Sequence, residues 1–368
     1  MRLAYLDWNA TAPLRPEAAA AMTEALARCG NPSSVHRFGR DARRALEAAR
    51  AQVAALVGAP AAAIVFTSGG TEANQLALRG ITGRRLLISA IEHDSVRQAA
   101  PAAIVPVTRQ GVMDLAALER MLAADPRPAL VSLMLANNET GVVQPVAEAA
   151  RLAHAHGALL HCDAVQVAGK LPLAMERLGA DLLTLSAHKL GGPQGVGALV
   201  AAPELALAAL QTGGGQERGR RGGTENLPGI VGFGAACAAA AQEVDGYAGV
   251  VHLRDAVERR LTAIAPEARV YGGDVARLAN TLCLGLPGVP AATQVMALDL
   301  AGVMVSAGSA CSSGKVRRSH VLDAMGVPPA EAESAIRISL GRSTGPADID
   351  QLVEAWGALY ARRQANGA

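Results

Sequence analysis

Two charged side chains follow two strand-like apolar runs in this sequence. Lys189 comes shortly after Asp181–Leu185, and Asp163 comes shortly after Ala158–Leu160, about one strand–helix–strand step earlier. A lysine at the end of a buried strand can hold a carbonyl cofactor as a Schiff base, although most lysines are solvated surface residues. A lysine for the imine and an acid for the pyridinium nitrogen are the two protein groups that pyridoxal phosphate most needs.

A glycine corner, Thr67–Glu72, follows the first predicted strand and opens a helix. Backbone N–H groups at such a corner can approach a phosphate, and the helix N-terminus favours an anion. The alternative is a tight strand-to-helix turn that Thr71 caps. The run lacks the Lys-Ser/Thr of a P-loop and the Gly-x-Gly-x-x-Gly of a dinucleotide site.

His93 and Asn137–Gly141 follow two further strand ends. His93 either lies against a cofactor ring, where it could move a proton, or only starts a helix. The amides of Asn137–Gly141 could bind a cofactor or substrate, or they form a polar turn.

A metal site is not predicted. The candidate ligands are His154, His156, His161 and Cys162. His161 and Cys162 are adjacent in a strand, so their side chains point to opposite faces of it. No further Cys/His spacing completes a site.

The segment Ser306–Gly314 is small and polar and carries Cys311 at its centre. Buried cysteines normally have apolar neighbours, so Cys311 is expected to be exposed and is a candidate nucleophile. A nearby cofactor or histidine would have to activate its thiol. The alternative is an incidental loop thiol.

Arg337 lies in the apolar strand-like run Ile336–Leu340. An arginine there should have an anion, and a bidentate contact with the carboxylate of an amino-acid substrate is one possibility. An internal salt bridge is equally compatible with the sequence.

The elements that must position these side chains alternate between short apolar runs and longer helical segments from about residue 40 to 240. The runs lack polar alternation, which favours a mostly parallel sheet covered on both faces, with ligands beyond the carboxyl ends of the strands. The predicted strands are 63–66, 85–89, 104–107, 130–135, 159–162, 182–185 and 197–200. The pattern changes near Val244–Gly246, after which a helix, two shorter strands and a last helix predict a smaller α+β domain.

Composition excludes several classes of protein. The chain has 368 residues, a net charge of +2 and 2% aromatic residues, so nucleic acid is not an expected partner. There is no run of about 18 uninterrupted apolar residues, so no membrane association is expected. The acid at Asp7 disfavours a signal peptide, and five scattered cysteines are typical of reduced thiols in a cytoplasmic protein.

Several motifs in order resemble the cysteine desulfurases of the nitrogen-fixation and iron–sulfur assembly type, within the class V aminotransferase family of pyridoxal phosphate enzymes. The resemblance spans nearly the whole chain. It is carried by the segments 5–13, 30–36, 67–72, 137–139, 163–166, 186–189, 213–224, 306–314 and 336–340.

The resemblance implies a fold type I transferase: a large domain (residues 13–246) with a mostly parallel seven-stranded sheet covered by helices, and a smaller α+β domain (residues 1–12 and 247–368). It also implies a homodimer that binds pyridoxal 5′-phosphate and acts on L-cysteine. The products are L-alanine and a persulfide, whose sulfur passes to an iron–sulfur scaffold or another acceptor protein. Selenocysteine lyase, or another reaction of the class V family, is the alternative that does not need a delivered thiol.

The site roles below are likewise implied by the resemblance. Lys189 binds the cofactor covalently, Asp163 pairs with its ring nitrogen, His93 stacks on the ring, and Cys311 accepts the sulfur. Gln166 binds the ring hydroxyl, and Asn138 and Arg337 hold the substrate carboxylate. The phosphate is held by Gly70, Thr71, Ser186 and His188, helped by Thr224 of the other subunit.

The sequence departs from the family pattern at a few positions. Gly70 stands where alanine is frequent, and Ala187 replaces the usual glycine before His188. Lys315–Arg318 adds three positive charges after the cysteine segment. The first two changes are expected to leave cofactor binding intact, whereas the last bears on which protein accepts the sulfur.

Overall fold

The computed structural model describes residues 2–247, 249–308 and 318–367. Its strands are β1 (Ala4–Tyr5), β2 (Ile64–Thr67), β3 (Arg85–Ser89), β4 (Ala102–Val105), β5 (Ala129–Ser132), β6 (Leu159–Asp163), β7 (Leu182–Ser186), β8 (Gly197–Ala201), β9 (Arg269–Val270), β10 (Thr281–Gly285), β11 (Val303–Met304), β12 (Ser306–Ala307) and β13 (Ala335–Ser339). Its α-helices are α1 (Pro16–Leu26), α2 (Arg37–Val57), α3 (Gly70–Gly80), α4 (Asp94–Arg97), α5 (Leu115–Ala123), α6 (Val146–Ala155), α7 (Met175–Leu178), α8 (Leu227–Tyr247), α9 (Val250–Ile264), α10 (Ala291–Leu300), α11 (His320–Ala324), α12 (Pro329–Ala332) and α13 (Pro346–Gly367). Short 3-10 turns lie at Ala61–Ala63, Ala187–Lys189 and Gln216–Gly219.

The central sheet has seven strands in the order β2-β8-β7-β6-β5-β3-β4. Pairs among β7, β6, β5, β3 and β4 are parallel, and β8 runs antiparallel to both of its neighbours. The predicted α/β class and mostly parallel sheet are therefore confirmed. Because the parallel strands end at the same edge, the segments that follow them meet there.

Both faces of the sheet are buried, which explains the absence of polar alternation in most strands. On β2, Ile64 and Phe66 join one apolar cluster with α2 and α8, whereas Val65 faces the opposite cluster with α3. The exception is the edge strand β4, where Ile104 is 50% exposed. An edge strand has a neighbour on one side only, so part of its surface stays open.

Two strands differ from their predictions by more than one residue at an end. β4 begins at Ala102 and ends at Val105, two residues earlier than predicted. β5 ends at Ser132, although Leu133 and Leu135 still donate backbone hydrogen bonds to His161 and Asp163 on β6. Pro106 explains the first difference, because proline has no N–H to donate to a ladder.

Helix α8 is long and apolar enough, by composition alone, to cross a membrane. In this fold it packs against α1 and α2, and Phe233, Ala236 and Ala240 are fully buried in the core. These contacts are those of a core helix of a globular domain.

A third apolar cluster lies outside the large sheet. It joins Ala4 and Leu6 near the N-terminus with side chains from α9, β10, β13 and α13, including the fully buried Trp356. Strands β12-β13-β10-β9 form an antiparallel sheet there. The predicted limits of the two domains, 13–246 and 1–12 with 247–368, stay a prediction. The N-terminal segment that follows Leu6 lies between this third cluster and the large sheet, with backbone hydrogen bonds to Ser339 on one side and His188 on the other, and it reaches the site.

Candidate active site

A cavity of about 350 Å³ lies at the carboxyl edge of the central sheet. The strands β6 and β7 end at it, and the small antiparallel sheet contributes Arg337 from its other side. Its lining residues are Asn9, Ala10, Gly70, Thr71, Asn74, His93, Ser95, Met134, Ala136, Asn138, Asp163, Val165, Gln166, Ser186, His188, Lys189 and Arg337. The fold therefore gathers at one place nearly all of the residues that the sequence nominated.

Lys189 is the amine of this cavity. It ends the 3-10 turn that directly follows β7, so the end of the strand determines its position. Its half-buried Nζ donates hydrogen bonds to the backbone carbonyls of Asn9 (2.7 Å) and Ala10 (2.8 Å). The N-terminal segment thus orients the lysine.

Asp163 ends β6 and is buried at the cavity wall. Its Oδ2 accepts a hydrogen bond from Asn74 Nδ2 (2.8 Å), and its Oδ1 accepts one from the backbone N–H of Val165 (3.0 Å). Each carboxylate oxygen can accept more than one hydrogen bond. The carboxylate is therefore fixed in orientation and can still accept a hydrogen bond from a donor in the cavity.

A chain of hydrogen bonds connects Asp163 to His93. Asn74 Nδ2 also donates to Ser95 Oγ (2.8 Å), and Ser95 Oγ lies 2.8 Å from His93 Nδ1. The backbone N–H of Ser95 donates to the same His93 Nδ1 (3.1 Å). Because Nδ1 accepts this bond, a neutral His93 carries its proton on Nε2. His93 also caps α4 and lines the cavity. The helix-start interpretation is therefore correct, and the contact with a cofactor ring stays a prediction.

The first turn of α3 forms the end of the cavity that suits an anion. Gly69 precedes it with φ +155°, a conformation that favours glycine. Thr71 from this turn and Ser186 from the end of β7 line the cavity, together with His188. Backbone N–H groups at a helix N-terminus and nearby hydroxyls favour an anion.

His188 is held on the same side. Its Nδ1 lies 3.0 Å from Thr11 Oγ1. Burial, followed by the charge of Lys189, lowers the pKa of His188 from 6.5 to about 4. A neutral imidazole keeps one N–H donor near neutral pH.

Arg337 projects from β13 and lines the cavity, and only some of its guanidinium nitrogens have hydrogen-bond partners. Its Nη2 forms a partly buried salt bridge with Asp7 Oδ1 (2.7 Å), and Nη1 donates to the backbone carbonyl of Asn138 (3.2 Å). Its buried Nε has no hydrogen-bond partner among the described residues. The internal salt bridge that the sequence left open is present, and one donor stays unsatisfied beside the cavity.

The match to known families covers almost the whole chain. The family model described as Aminotransferase class-V matches residues 4–352. The chain belongs to the class V aminotransferase family.

Relatives within this family are cysteine desulfurases, as the sequence motifs predict. The chain is 46% identical to a cysteine desulfurase of Cereibacter sphaeroides, with 96% of this chain and 95% of that protein covered. The solved NifS-like protein from Rickettsia africae has a TM-score of 0.92 and 36% identity, with 98% and 100% covered. The solved structure of SspA in complex with cysteine has a TM-score of 0.77 and 30% identity, with 91% and 98% covered. The predicted family resemblance and fold type are confirmed.

The family's cofactor, pyridoxal 5′-phosphate, fits the residues of this cavity. Lys189 offers an amine for the aldehyde, Asp163 an acceptor for a protonated ring nitrogen, and the first turn of α3 a set of donors for the phosphate. The volume is within the range of small-molecule sites. These residues would hold the cofactor, whose chemistry is that of an electron sink.

Two of the departures from the family pattern, Gly70 and Ala187, have local packing reasons. A Cβ on Gly70 would lie 3.0 Å from Val165 Cγ2 and 3.3 Å from Ser186 Cβ, so the neighbours of this glycine already fill the space. Ala187 is fully buried against Gly192, where a Cβ would come within 2.9 Å of the Ala187 methyl group. A glycine opposite thus makes room for Ala187 beneath the site.

Two predicted site residues are not part of the cavity. Thr224 is exposed and does not line it, and its proposed contact with the partner subunit's site stays a prediction. Cys311 lies outside the described residues, as do residues 315–317 of the basic run. Among the described residues, no group of three or more His, Cys, Asp or Glu could hold a metal.

Sequence reasoning gave no role to three polar residues at the site. Asn9, Asn74 and Lys170 are buried, and they bind the Lys189, Asp163 and Gln166 groups. Asn9 lies within the N-terminal motif at residues 5–13, and Asn74 lies just after the glycine corner, so both had a signal nearby. Lys170 had no signal, because lysines are mostly exposed and only the fold shows that this one is not.

Two buried carboxyls lie behind the cavity wall. Glu92 is fully buried; its Oε1 accepts a hydrogen bond from the backbone N–H of Met134 (2.7 Å), and desolvation raises its pKa to about 8. Glu139 accepts a hydrogen bond from Ser319 Oγ (2.5 Å), and desolvation raises its pKa to about 7. Both carboxyls hold their protons over a range of pH in which an exposed glutamate is ionised.

Proposed function

We propose that this protein is a cysteine desulfurase (EC 2.8.1.7) that removes sulfur from L-cysteine and leaves L-alanine. The observation that carries the proposal is the meeting of Lys189, Asp163 and Arg337 around one cavity in a class V aminotransferase fold. An amine, an acid and a guanidinium suit a pyridoxal cofactor and an amino-acid carboxylate. The relative solved in complex with cysteine supports this substrate.

Each residue of the cavity has a distinct part in this proposal. Arg337 lines the cavity and binds the substrate carboxylate through its guanidinium, which Asp7 and the Asn138 carbonyl hold in place. The Asn138 side chain lines the same part of the cavity. These contacts orient the substrate so that its amino group and side chain face Lys189 and His93.

Lys189 and His93 carry out the proton transfers in this proposal. Pyridoxal phosphate, once bound, supplies an electron sink that weakens bonds at the α- and β-carbons of the substrate. Lys189 Nζ is positioned to take and return the α-proton. His93 carries its proton on Nε2, because Ser95 occupies Nδ1, and can supply it at the cavity.

Cys311 receives the sulfur. A bond forms between Cys311 Sγ and the substrate sulfur, while the substrate Cβ–S bond breaks and its electron pair stays with Cβ, which takes a proton. One thiol and one L-cysteine thus give one persulfide and one L-alanine, without an added oxidant or reductant. A nucleophilic thiol needs a neighbouring group to accept its proton.

The assembly and setting of the enzyme follow as further parts of the proposal. A homodimer would let exposed Thr224 contribute to the partner's phosphate site, and light scattering on the purified protein measures its mass. The persulfide would pass its sulfur to an iron–sulfur scaffold or another acceptor protein. A cytoplasmic location suits free thiols, of which Cys29, Cys162, Cys237 and Cys283 are described.

The test measures alanine and sulfide released from L-cysteine in the presence of a thiol reductant. We expect the unmodified protein to make both products in equal amounts. Cys311→Ala should keep its cofactor absorbance but lose at least about 100-fold in rate, since the chemical step loses its nucleophile. Cys29→Ala removes an exposed thiol and is the matched control.

Each outcome decides between the candidates. Full activity in Cys311→Ala would refute the persulfide step and favour a lyase. Selenocysteine turnover by that variant, without cysteine turnover, would likewise favour a lyase. A purified protein that has no visible absorbance after incubation with pyridoxal phosphate would refute the proposal at the level of the cofactor.

A further inference from the structure

Lys170 is a second lysine beside the site and is buried, with 6% of its surface exposed. It lies in the turn that follows β6. Its Nζ donates to Asn9 Oδ1 (3.0 Å) and Gln166 Oε1 (3.3 Å). Among the residues that the structure describes, no carboxylate forms a salt bridge with Lys170. Burying such a cation is costly, so its place beside the cavity needs an explanation.

The contacts of Gln166 determine which way its amide points. An ammonium group can only donate, so the atom facing Lys170 must be the carbonyl Oε1. At the other end, Nε2 donates to the backbone carbonyl of Asn9 (3.1 Å). Both partners therefore require the same orientation of the amide, and the second N–H of Nε2 is left as a donor at the cavity that Gln166 lines.

Gln166 Nε2 is a close neighbour of Lys189 Nζ. Both nitrogens donate to the same oxygen, the Asn9 carbonyl, at 3.1 Å and 2.7 Å. In pyridoxal phosphate the phenolic oxygen is on the ring carbon next to the one that carries the aldehyde. A lysine that takes the aldehyde therefore brings this oxygen to the neighbourhood of Gln166.

We propose that Lys170 is a positioning residue, which clamps the Gln166 amide so that Nε2–H is presented to the phenolic oxygen of the cofactor. The proposal rests on the proposed function in that it requires the cofactor on Lys189. The N–H···O=C bond from Lys170 also polarises the amide and makes Nε2–H a stronger donor. A donor at this oxygen stabilises its negative charge.

The charges around Lys170 are consistent with this role. Desolvation, and then the charges of Lys189 and Arg337, lower the pKa of Lys170 to about 7. Either protonation state of its amine can donate a hydrogen bond to Gln166 Oε1. The clamp on the amide therefore does not depend on a full charge at Lys170.

The test uses Lys170→Met, which keeps the length of the side chain and removes the donor. The protein is stripped of cofactor and titrated with pyridoxal phosphate, and its visible absorbance is then followed against pH. We expect weaker cofactor binding, by about fivefold or more, and an absorbance midpoint about one pH unit higher. The midpoint rises because the phenolic oxygen, without the Gln166 donor, is more negative. It then holds more tightly the proton that lies between it and the Lys189 nitrogen.

Matched variants separate positioning from a merely structural effect. Thr281→Val removes the hydroxyl that binds Asn9 Nδ2 (2.9 Å) but leaves Gln166 untouched, so its midpoint should not move. Lys170→Gln restores an N–H donor and should recover part of the shift. In a Gln166→Leu background, Lys170→Met should add nothing to the shift that Gln166→Leu itself causes.

The remaining outcomes overturn the proposal. An unchanged midpoint in folded Lys170→Met, or in Lys170→Ala if the first variant does not fold, would show that Lys170 does not act on the cofactor. Additive shifts in the double variant would show that its charge acts directly and not through Gln166. Failure of the wild-type protein to develop visible absorbance refutes the proposed function instead, so the two failures are distinguishable.

Discussion

Glu92→Gln should stabilise this protein, and by an amount that grows with pH. The Glu92 carboxyl is fully buried behind the cavity, and its Oε2 has no hydrogen-bond partner among the described residues. Glutamine has nearly the same shape as the protonated acid and keeps the acceptor for the Met134 N–H. The change therefore removes an ionisation and leaves the packing in place.

The pKa of Glu92 sets the magnitude. Desolvation, aided by the Asp163 charge, raises this pKa from 4.5 in the unfolded chain to about 8 in the fold. Between these values the unfolded chain loses the proton and the fold keeps it, so stability falls by about 1.4 kcal/mol per pH unit. Between about pH 5.5 and about pH 7.5 the advantage of Glu92→Gln should grow by about 3 kcal/mol.

The assay is urea unfolding of the cofactor-free protein at about pH 5.5 and about pH 7.5, both within the interval where the two states differ in protonation. Other titrating groups, such as Glu139 and His161, are present in both variants and cancel in the difference. Glu176→Gln, which removes an exposed carboxylate, is the control and should track the wild type at both values. An equal difference in the free energy of unfolding between Glu92→Gln and the wild type at both pH values would refute the reasoning, since it would mean that the pKa of Glu92 is not raised in the fold.

Two further variants test the buried polar contacts. Glu217→Gln leaves the buried Arg50 guanidinium without the carboxylate that binds its Nη1 and Nη2 at 2.8 and 2.9 Å. The change should lower the free energy of unfolding by about 3–5 kcal/mol. A loss no larger than that of Glu47→Gln, which removes a half-exposed partner of Arg50, would contradict this prediction. Asn74→Ala removes the donor to Asp163 Oδ2 and should weaken cofactor binding about tenfold, as measured by absorbance titration. Unchanged affinity would show that Asp163 is oriented without Asn74.

Much of the large sheet was predictable from the chain. All seven predicted strands are in it, because a strand buried on both faces is a run of apolar residues that stands out in any sequence. The ends of these runs were less predictable. β4 ends before Pro106, and after the end of β5 the apolar residues Leu133 and Leu135 still donate backbone hydrogen bonds to β6.

The candidate site divides in the same way. Lys189 and Asp163 could be nominated because each follows a strand, and parallel strands bring such positions to one edge. Arg337 could be nominated as an arginine in an apolar run, but not its salt bridge with Asp7, which lies 330 residues away in the chain. Asn74 had only its place just after the glycine corner as a signal. Lys170 could not be nominated, since no local pattern distinguishes a buried lysine from an exposed one.

The sequence by itself determined the fold class, the order of the strands along the chain and the chemical groups available at their ends. These are local properties: apolar runs, glycine corners and the residues next to them. Only the tertiary structure decided which groups meet, how the Gln166 amide and the His93 ring are oriented, and which carboxyls lose their water. Those properties arise from contacts between residues that are distant in the chain, and from a burial that exists only once the third apolar cluster and the large sheet close around the N-terminal segment.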